Sequence, residues 1–377
     1  MRKQLPFKPD FIKIWYIVLP NQSAESTFEI VKAAADEAHL NNVRVAIHAT
    51  QLNTAKFAIK AGADILVHGV DHPVDEDFEK LLLDNRVVYI PTLMVSSQYD
   101  ETFAQKPVFT KEDLNISNPI PLGSLMDSKH LKEKVLEEYK SYTIQTKIRS
   151  DKTMAINSAN VKRLADIGVD VALGTDAGNI GTLHGSSVFE EIQLMVQAGM
   201  SNAQILKAAT HTPYKVIQKE KEFGSIEVGK YADLVLLKDN PLEKIDALKS
   251  IAKVFKNGEE IDLEKIAMQS PEELAQQQLN GYNARDIDAF LEPYSEDVKI
   301  FSFPDQLIYD GKETMRKQYG SMFENTPDLH CELKNRIVQG NTVIDHERVT
   351  GFKNGPLNAV AIYKIKEGKI VEVYFVQ

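Results

Sequence analysis

The run VALGTDAG, residues 171–178, is a short apolar stretch closed by a polar turn that carries one carboxylate, Asp176. Three earlier runs have the same form: FIKIWYIV with Lys13, VAIHAT with His48 and DILVHG with His68. Apolar runs of this length, alternating with helical patterns, predict parallel strands covered by helices. Parallel strands gather functional side chains beyond their carboxyl ends. The four marked residues stand at or near those ends, which points to an α/β fold with one chemically equipped rim.

The pattern along the chain supplies the elements. Strands are expected at 11–19, 43–49, 64–68, 86–92 and 170–175. Helices are expected at 24–39, 51–61, 75–84, 130–147, 151–167, 185–199, 201–211 and near 213–220. Residues 96–130, with several prolines, read as an irregular excursion or lid. The character changes near Gly224, where a strand ends at Asn240-Pro241 and IAKVFKNGEEI forms a hairpin around Asn257-Gly258. It changes again near Ser270. Two short helices, a strand at 298–303, a helix at 311–324 and strands at 329–339, 342–351, 356–366 and 369–376 make an α+β domain. The expected division is a first domain over 1–265, with a partial TIM-type barrel to about 222 and a β appendage over about 223–265. A second domain follows over 270–377.

Composition removes several function classes. The net charge of -10 and the absence of a long basic tract argue against a nucleic-acid partner. No stretch approaches roughly eighteen apolar residues, so no membrane helix is expected. Cys331 is the only cysteine, so no intrachain disulfide and no thiolate cluster can form. That usage fits the cytoplasm, although an upstream segment could carry a secretion signal.

Neutral imidazoles and a carboxylate suit Zn2+ or another divalent metal. His48 and His68 lie one βα unit apart, so adjacent strands can bring them to one rim. Asp176 could bind metal while taking a proton from an attacking water. Lys13 would fit such a group if buried and neutral, or as a carbamate. Taken singly, the same residues have ordinary roles: a structural histidine, a helix cap at Asp176, a snorkelling lysine.

DFIKIW, VAIHA, GADILVHG, YIPTL, VALGTDAG with LHG, and GSIEVGKYADLVLL together make residues 8–263 resemble the amidohydrolase superfamily. The likeness is to its imidazolonepropionase-like and Xaa-Pro/Xaa-Arg dipeptidase-like branch. It implies a (β/α)8 barrel and metal-dependent hydrolysis of carbon–nitrogen bonds in a small amide, cyclic amide or dipeptide-like substrate. By that likeness Lys13 is a carbamylated lysine bridging two ions, His48 and His68 are metal ligands, and Asp176 is a ligand and general base. His184, in LHG, stands near the substrate. The resemblance also implies a His-x-His pair on a first barrel strand. This chain has none, and Lys13 resembles the end of the fourth strand. The expectation is therefore an N-terminally truncated barrel, and the alternative to a hydrolase is a catalytically inactive one.

Residues 271–377 resemble the SnoaL-like group of the nuclear transport factor 2-like superfamily through DIDAFLEPYSEDV and the meander with VIDHERVTG. That resemblance implies a curved sheet wrapping helices into a cone-shaped pocket, used for small-molecule binding or as a homodimer contact. On the strand through 345–348, alternation sends Asp345 and Glu347 to one face and His346 and Arg348 to the other. Tyr282, Tyr294, Tyr309 and Tyr319 are candidates for the cavity wall or for the core. His39, His130 and His330, in polar contexts, are expected at the surface.

Overall fold

The computed structural model describes every residue except Met1, Pro20, Ala104, Lys106, Pro107, 132–151 and Gln377. The described residues form two compact units. One lies within Met1–Asp100, Ser141–Thr182 and Ser187–Leu263; the other lies within Glu101–Lys140, Leu183–Ser186 and Glu264–Gln377.

In the first unit, β1 (Phe11–Trp15), β2 (Arg44–His48), β3 (Ile65–Val67) and β4 (Val88–Ile90) form a parallel sheet in that order. The helices Ala24–Leu40, Leu52–Lys60 and Glu76–Asp84 are its crossovers. Register explains how the faces divide. Ala46 pairs with Lys13 and with Ile65, and Ile65 pairs with Val88. Side chains alternate along each strand, so Ala46, Ile65 and Val88 share one face, where they cluster with Ala172 and Val216. Val45, Ile47, Leu66 and Tyr89 point the other way and pack with Ala35, Ala58, Phe78 and Leu82 of the helices. A sheet with both faces apolar, one of them covered by its own crossovers, is an arc of a TIM-type barrel. β1 ends this sheet. Its Phe11, Lys13 and Trp15 are exposed, Trp15 at 73%.

The expected strand at 170–175 contracts to a single parallel bridge between Tyr89 and Val171. Tyr89 N–H donates to the Asp170 carbonyl and Ala172 N–H to the Tyr89 carbonyl, both at 2.9 Å. Leu173 N–H then turns away to the Ala208 carbonyl at 2.8 Å, which ends the ladder. Helix 151–167 is observed over 152–166, whereas the helix expected over 130–147 falls largely outside the described residues. β5 (Leu234–Leu237), β6 (Ile251–Lys256) and β7 (Glu259–Glu260) form the small antiparallel appendage. Asn257 and Gly258, both at positive φ, make its tight turn.

The second unit is α+β. β8 (Tyr294–Ser302), β9 (Gln306–Asp310), β10 (His330–Gln339), β11 (Thr342–Thr350), β12 (Leu357–Lys366) and β13 (Lys369–Val376) form one sheet in the order β10-β11-β12-β13-β8-β9. Only the β13–β8 pair is parallel. Helices Pro271–Ala284, Ile287–Leu291 and Lys312–Asn325 pack against it through Leu274, Leu279, Phe290 and Met315. Ser270 opens the first helix with a capping box to Glu273, and Pro271 takes the first turn. A Cβ on Gly281 would lie 2.3 Å from the Phe290 nitrogen, so only glycine lets these two helices approach this closely.

Residues 96–130 correct the sequence reading. They include helices Lys111–Ile116 and Pro119–Met126, both in the second unit. Pro119 does not break structure here; it sits in the first turn behind the Asn118 cap. Leu114, Leu122 and Met126 build a small core with Leu183 and Ala289.

Candidate functional site

The parallel sheet brings three of the marked basic residues to one region. Trp15 pairs with His48, and Lys13, two residues before Trp15, shares its face of β1. His68 follows β3 at φ 79, and its ring meets that of His48 edge-on at 4.5 Å between centroids. Asp176 sits at φ 52 after the bridge and is exposed. Its carboxylate accepts from Asn179 Nδ2 at 3.0 Å, and its carbonyl accepts from Thr182 Oγ1 at 2.8 Å. Asp176 raises the proton affinity of Lys13, His48 and His68, so all four groups share one electrostatic neighbourhood.

Desolvation works against charge there. It lowers the Lys13 pKa despite the opposing pull of Asp176. Desolvation and Lys13 lower the pKa of His48. His68 falls to about 4, through desolvation first and then repulsion from His48 and Lys13. At neutral pH the His68 imidazole is therefore uncharged, and His48 is shifted in the same direction.

These groups do not make the expected metal centre. Among the described residues no three His, Cys, Asp or Glu side chains converge on a point that could hold an ion. Two imidazoles meet, but Asp176 turns its carboxylate to Asn179, which leaves the imidazole pair without a third donor among the described His, Cys, Asp and Glu side chains. The zinc assignment for Lys13, His48, His68 and Asp176, the carbamate on Lys13 and hydrolysis through metal-activated water are accordingly corrected. A structural site closes with about four donors, and a catalytic one needs about three besides its water.

Sequence reasoning passed over the residues that hold this rim in place. Thr92 accepts from or donates to His68 Nδ1 at 2.7 Å, at φ 47 and nearly buried. Glu191 is fully buried. It reaches back to accept from the N–H groups of Leu93 and Met94 at 2.8 and 3.0 Å. Burial lifts its pKa to about 7 against those two hydrogen bonds. The YIPTL motif was the available signal for this loop. A Cβ on Gly69 would meet the Asn157 carboxamide at 2.3 Å, which accounts for the glycine of DILVHG. His184 is exposed and belongs to the second unit.

The second unit contains a different kind of site. A cavity of about 440 Å³ opens between its sheet and helices, and the four candidate tyrosines, Tyr282, Tyr294, Tyr309 and Tyr319, all line it. Glu347 lines it too, and Asp345 is buried on the same face of β11, while His346 and Arg348 are exposed. Tyr363 Oη donates to Glu347 Oε1 at 3.0 Å and accepts from Gln278 Nε2 at 2.9 Å. Tyr294 Oη donates to Gln278 Oε1 at 3.2 Å. A larger groove in this unit, about 960 Å³, is lined by surface ion pairs such as Lys369–Glu292 at 3.2 Å and Lys111–Asp288 at 3.5 Å. His330 corrects its surface assignment: it is 6% exposed and stacks on His130 at 3.5 Å.

Comparison with known proteins now has geometry to rest on. The amidohydrolase family model matches residues 16–261, beginning just after β1, and the SnoaL-like domain model matches residues 275–373. Imidazolonepropionase of Geobacillus sp. (strain WCH70) is 40% identical over 84 residues, covering 21% of this chain and 19% of that protein. Ochratoxinase of Aspergillus niger is 29% identical over 240 residues, covering 62% of this chain and 41% of that protein. The chain thus spans less than half the length of these curated relatives. The crystal structure of a Xaa-Pro dipeptidase with bound methionine in its active site superposes with a TM-score of 0.50 at 27% identity. That match covers 69% of this chain and 56% of the dipeptidase. No helix among the described residues is long and apolar enough to cross a membrane.

Proposed function

This chain belongs to the amidohydrolase family, and from that premise we propose that its barrel arc is a non-catalytic scaffold while its SnoaL-like domain binds a small, largely apolar molecule. The functional division we adopt places 1–265 in the scaffold and 270–377 in the binding domain. The observation that carries the binding reading is the aromatic cavity of about 440 Å³, inside the ~300–1,000 Å³ span of small-molecule sites. The scaffold reading is supported by the donor set on the rim, which falls short of a metal centre among the described residues. His48 and His68 then serve packing: they meet each other, and Thr92 satisfies His68.

Two measurements test these halves separately. After saturation with zinc and bicarbonate and then desalting, the purified chain is expected to retain only sub-stoichiometric zinc and to leave dipeptide and cyclic-amide substrates intact. Stoichiometric zinc with hydrolysis abolished by Asp176→Asn would overturn the scaffold half. For the cavity, a panel of small aromatic probes is expected to raise the thermal midpoint of the wild type. Ala359→Trp, placed on the cavity wall, should erase that response. Equal responses from both proteins would reject the cavity as the binding site.

A further inference from the structure

The cavity of the second unit holds a carboxylate, Glu347, that forms no ion pair with a cation among the described residues. Glu347 is 6% exposed. Asp345, on the same face of β11, is fully buried but is fully matched. Arg336, its cross-strand neighbour on β10, donates to both of its oxygens at 2.7 Å. The remaining Arg336 nitrogen donates to Gln276 Oε1 at 2.9 Å. Arg336 is thereby committed to Asp345. The described residues that line the cavity include no lysine, arginine or histidine.

Apart from the Asp345–Arg336 pair, the described titratable groups nearest Glu347 are phenols and a thiol. Tyr363 on β12 donates to it, and the Cys331 thiol on β10 is a weaker second donor. Tyr294 on β8, Tyr309 on β9, Tyr282 on helix Pro271–Ala284 and Tyr319 on helix Lys312–Asn325 are further titratable groups of the cavity wall; burial first, with Glu347 adding to it, raises the pKa of Tyr294, Tyr282 and Tyr319. Burial, then Asp345, raises the Glu347 pKa to about 7, with Tyr363, Arg336 and Cys331 opposing. The rings are packed as a wall: Phe290 lies 4.6 Å from Tyr319, 5.4 Å from Tyr294 and 5.9 Å from Tyr282 between centroids.

A buried carboxylate without a counter-ion is costly, and it either takes up a proton or recruits a cation. Aromatic faces favour a cation as well, most strongly where water is excluded. An anionic ligand would meet the field of Glu347, whereas Asp345 is paired with Arg336. We propose that this cavity takes a compact organic cation, an apolar body bearing a protonated amine, with Glu347 as its counter-charge and the tyrosine and phenylalanine rings as its cage. The proposal rests on the ligand-binding reading of the cavity and adds the chemical class of the ligand.

Such a cation lowers the Glu347 pKa when it binds. Near neutral pH the free protein carries a fractional proton on this carboxyl that the complex does not, so binding releases it and affinity rises with pH through that window. The test uses three probes of one shape: phenethylamine, phenethyl alcohol and phenylacetate, titrated calorimetrically into the full chain in buffers of different ionisation heat. The amine is expected to bind roughly tenfold more tightly than the alcohol and to release protons, and phenylacetate is expected to bind worst. Glu347→Gln should remove the amine's advantage while leaving alcohol binding in place. Proton release by the wild type does not depend on that variant's folding. Equal binding of amine and alcohol, or preference for phenylacetate, would overturn the cation assignment while leaving the cavity reading intact. Failure of all three to bind would remove both.

Discussion

Two groups of ionisable side chains, one on each unit, are built on opposite plans. On the barrel arc, Lys13, His48, His68 and Asp176 come from four separate segments, and the two ends of the set, Lys13 and Asp176, are exposed. In the SnoaL-like domain, Asp345 and Glu347 come from one strand and are enclosed by rings and by Arg336. The first group keeps the residue types of a family site without their convergence. The second has little motif signal yet holds its charges where water cannot screen them. Residue identity at strand ends thus says less about function than enclosure does, because a charge acts strongly only where the solvent has been removed.

The largest expected effect breaks the enclosed plan directly. Arg336→Met leaves Asp345 buried beside a second carboxylate, which should cost about 3–5 kcal/mol in urea unfolding. Asp176→Asn, exposed on the other unit, should cost less than about 0.5 kcal/mol. Similar costs for the two would erase the contrast between them. Next is Tyr363→Phe, which strips the hydroxyl from between Gln278 and Glu347. About 1–3 kcal/mol should be lost, and no change would mean that the relay does not matter to the fold.

The pH dependence of the two plans should have opposite sign. His68 titrates at about 4 folded and 6.5 as its ordinary value, so the unfolded chain binds the extra proton between them. Its contribution to stability is present above about 6.5 and is lost as pH falls toward 4. Glu347 runs the other way: its folded pKa of about 7 exceeds the ordinary 4.5, so the folded chain binds the extra proton in that window. Its contribution is present below about 4.5 and is lost as pH rises through 7. His68→Asn should therefore flatten the acid-side loss, and Glu347→Gln should gain on the wild type as pH rises. Slopes of the same sign for both variants would refute the assignment. The smallest effect belongs to Trp15, the one tryptophan of the chain, exposed on β1. Trp15→Gln should shift stability by about 0.5 kcal/mol or less, and wild-type emission should be quenched freely by acrylamide.

Much of this was legible in the sequence where local pattern and tertiary structure agree. The four parallel strands, their crossovers and the C-terminal meander follow apolar runs and turn residues such as Asn257-Gly258. Elsewhere the deciding partner is remote. Leu173 leaves its ladder for Ala208, so an apolar run did not remain a strand. Pro119 starts a helix because Asn118 caps it, and proline alone reads as a break. Alternation paired Asp345 with Glu347, but only Arg336 across β10 explains how the pair is tolerated inside. Glu191 and Thr92 carry no period; they are fixed by loops far from them in sequence. The metal centre was misread for a different reason: spacing brought His48 and His68 together, but the turn after Asp176 supplies its own partner, Asn179, three residues on.

The relay from Tyr294 through Gln278 and Tyr363 to Glu347 has a polarity. An ionised carboxylate can only accept, so it obliges Tyr363 to donate toward it and to accept from behind. That requirement turns the amino end of Gln278 toward Tyr363 and its oxygen toward Tyr294. Protonation of Glu347 lifts the obligation, and the whole row is then free to run in reverse with the amide turned over. The charge on one strand is in this way written into the orientation of an uncharged side chain on a helix.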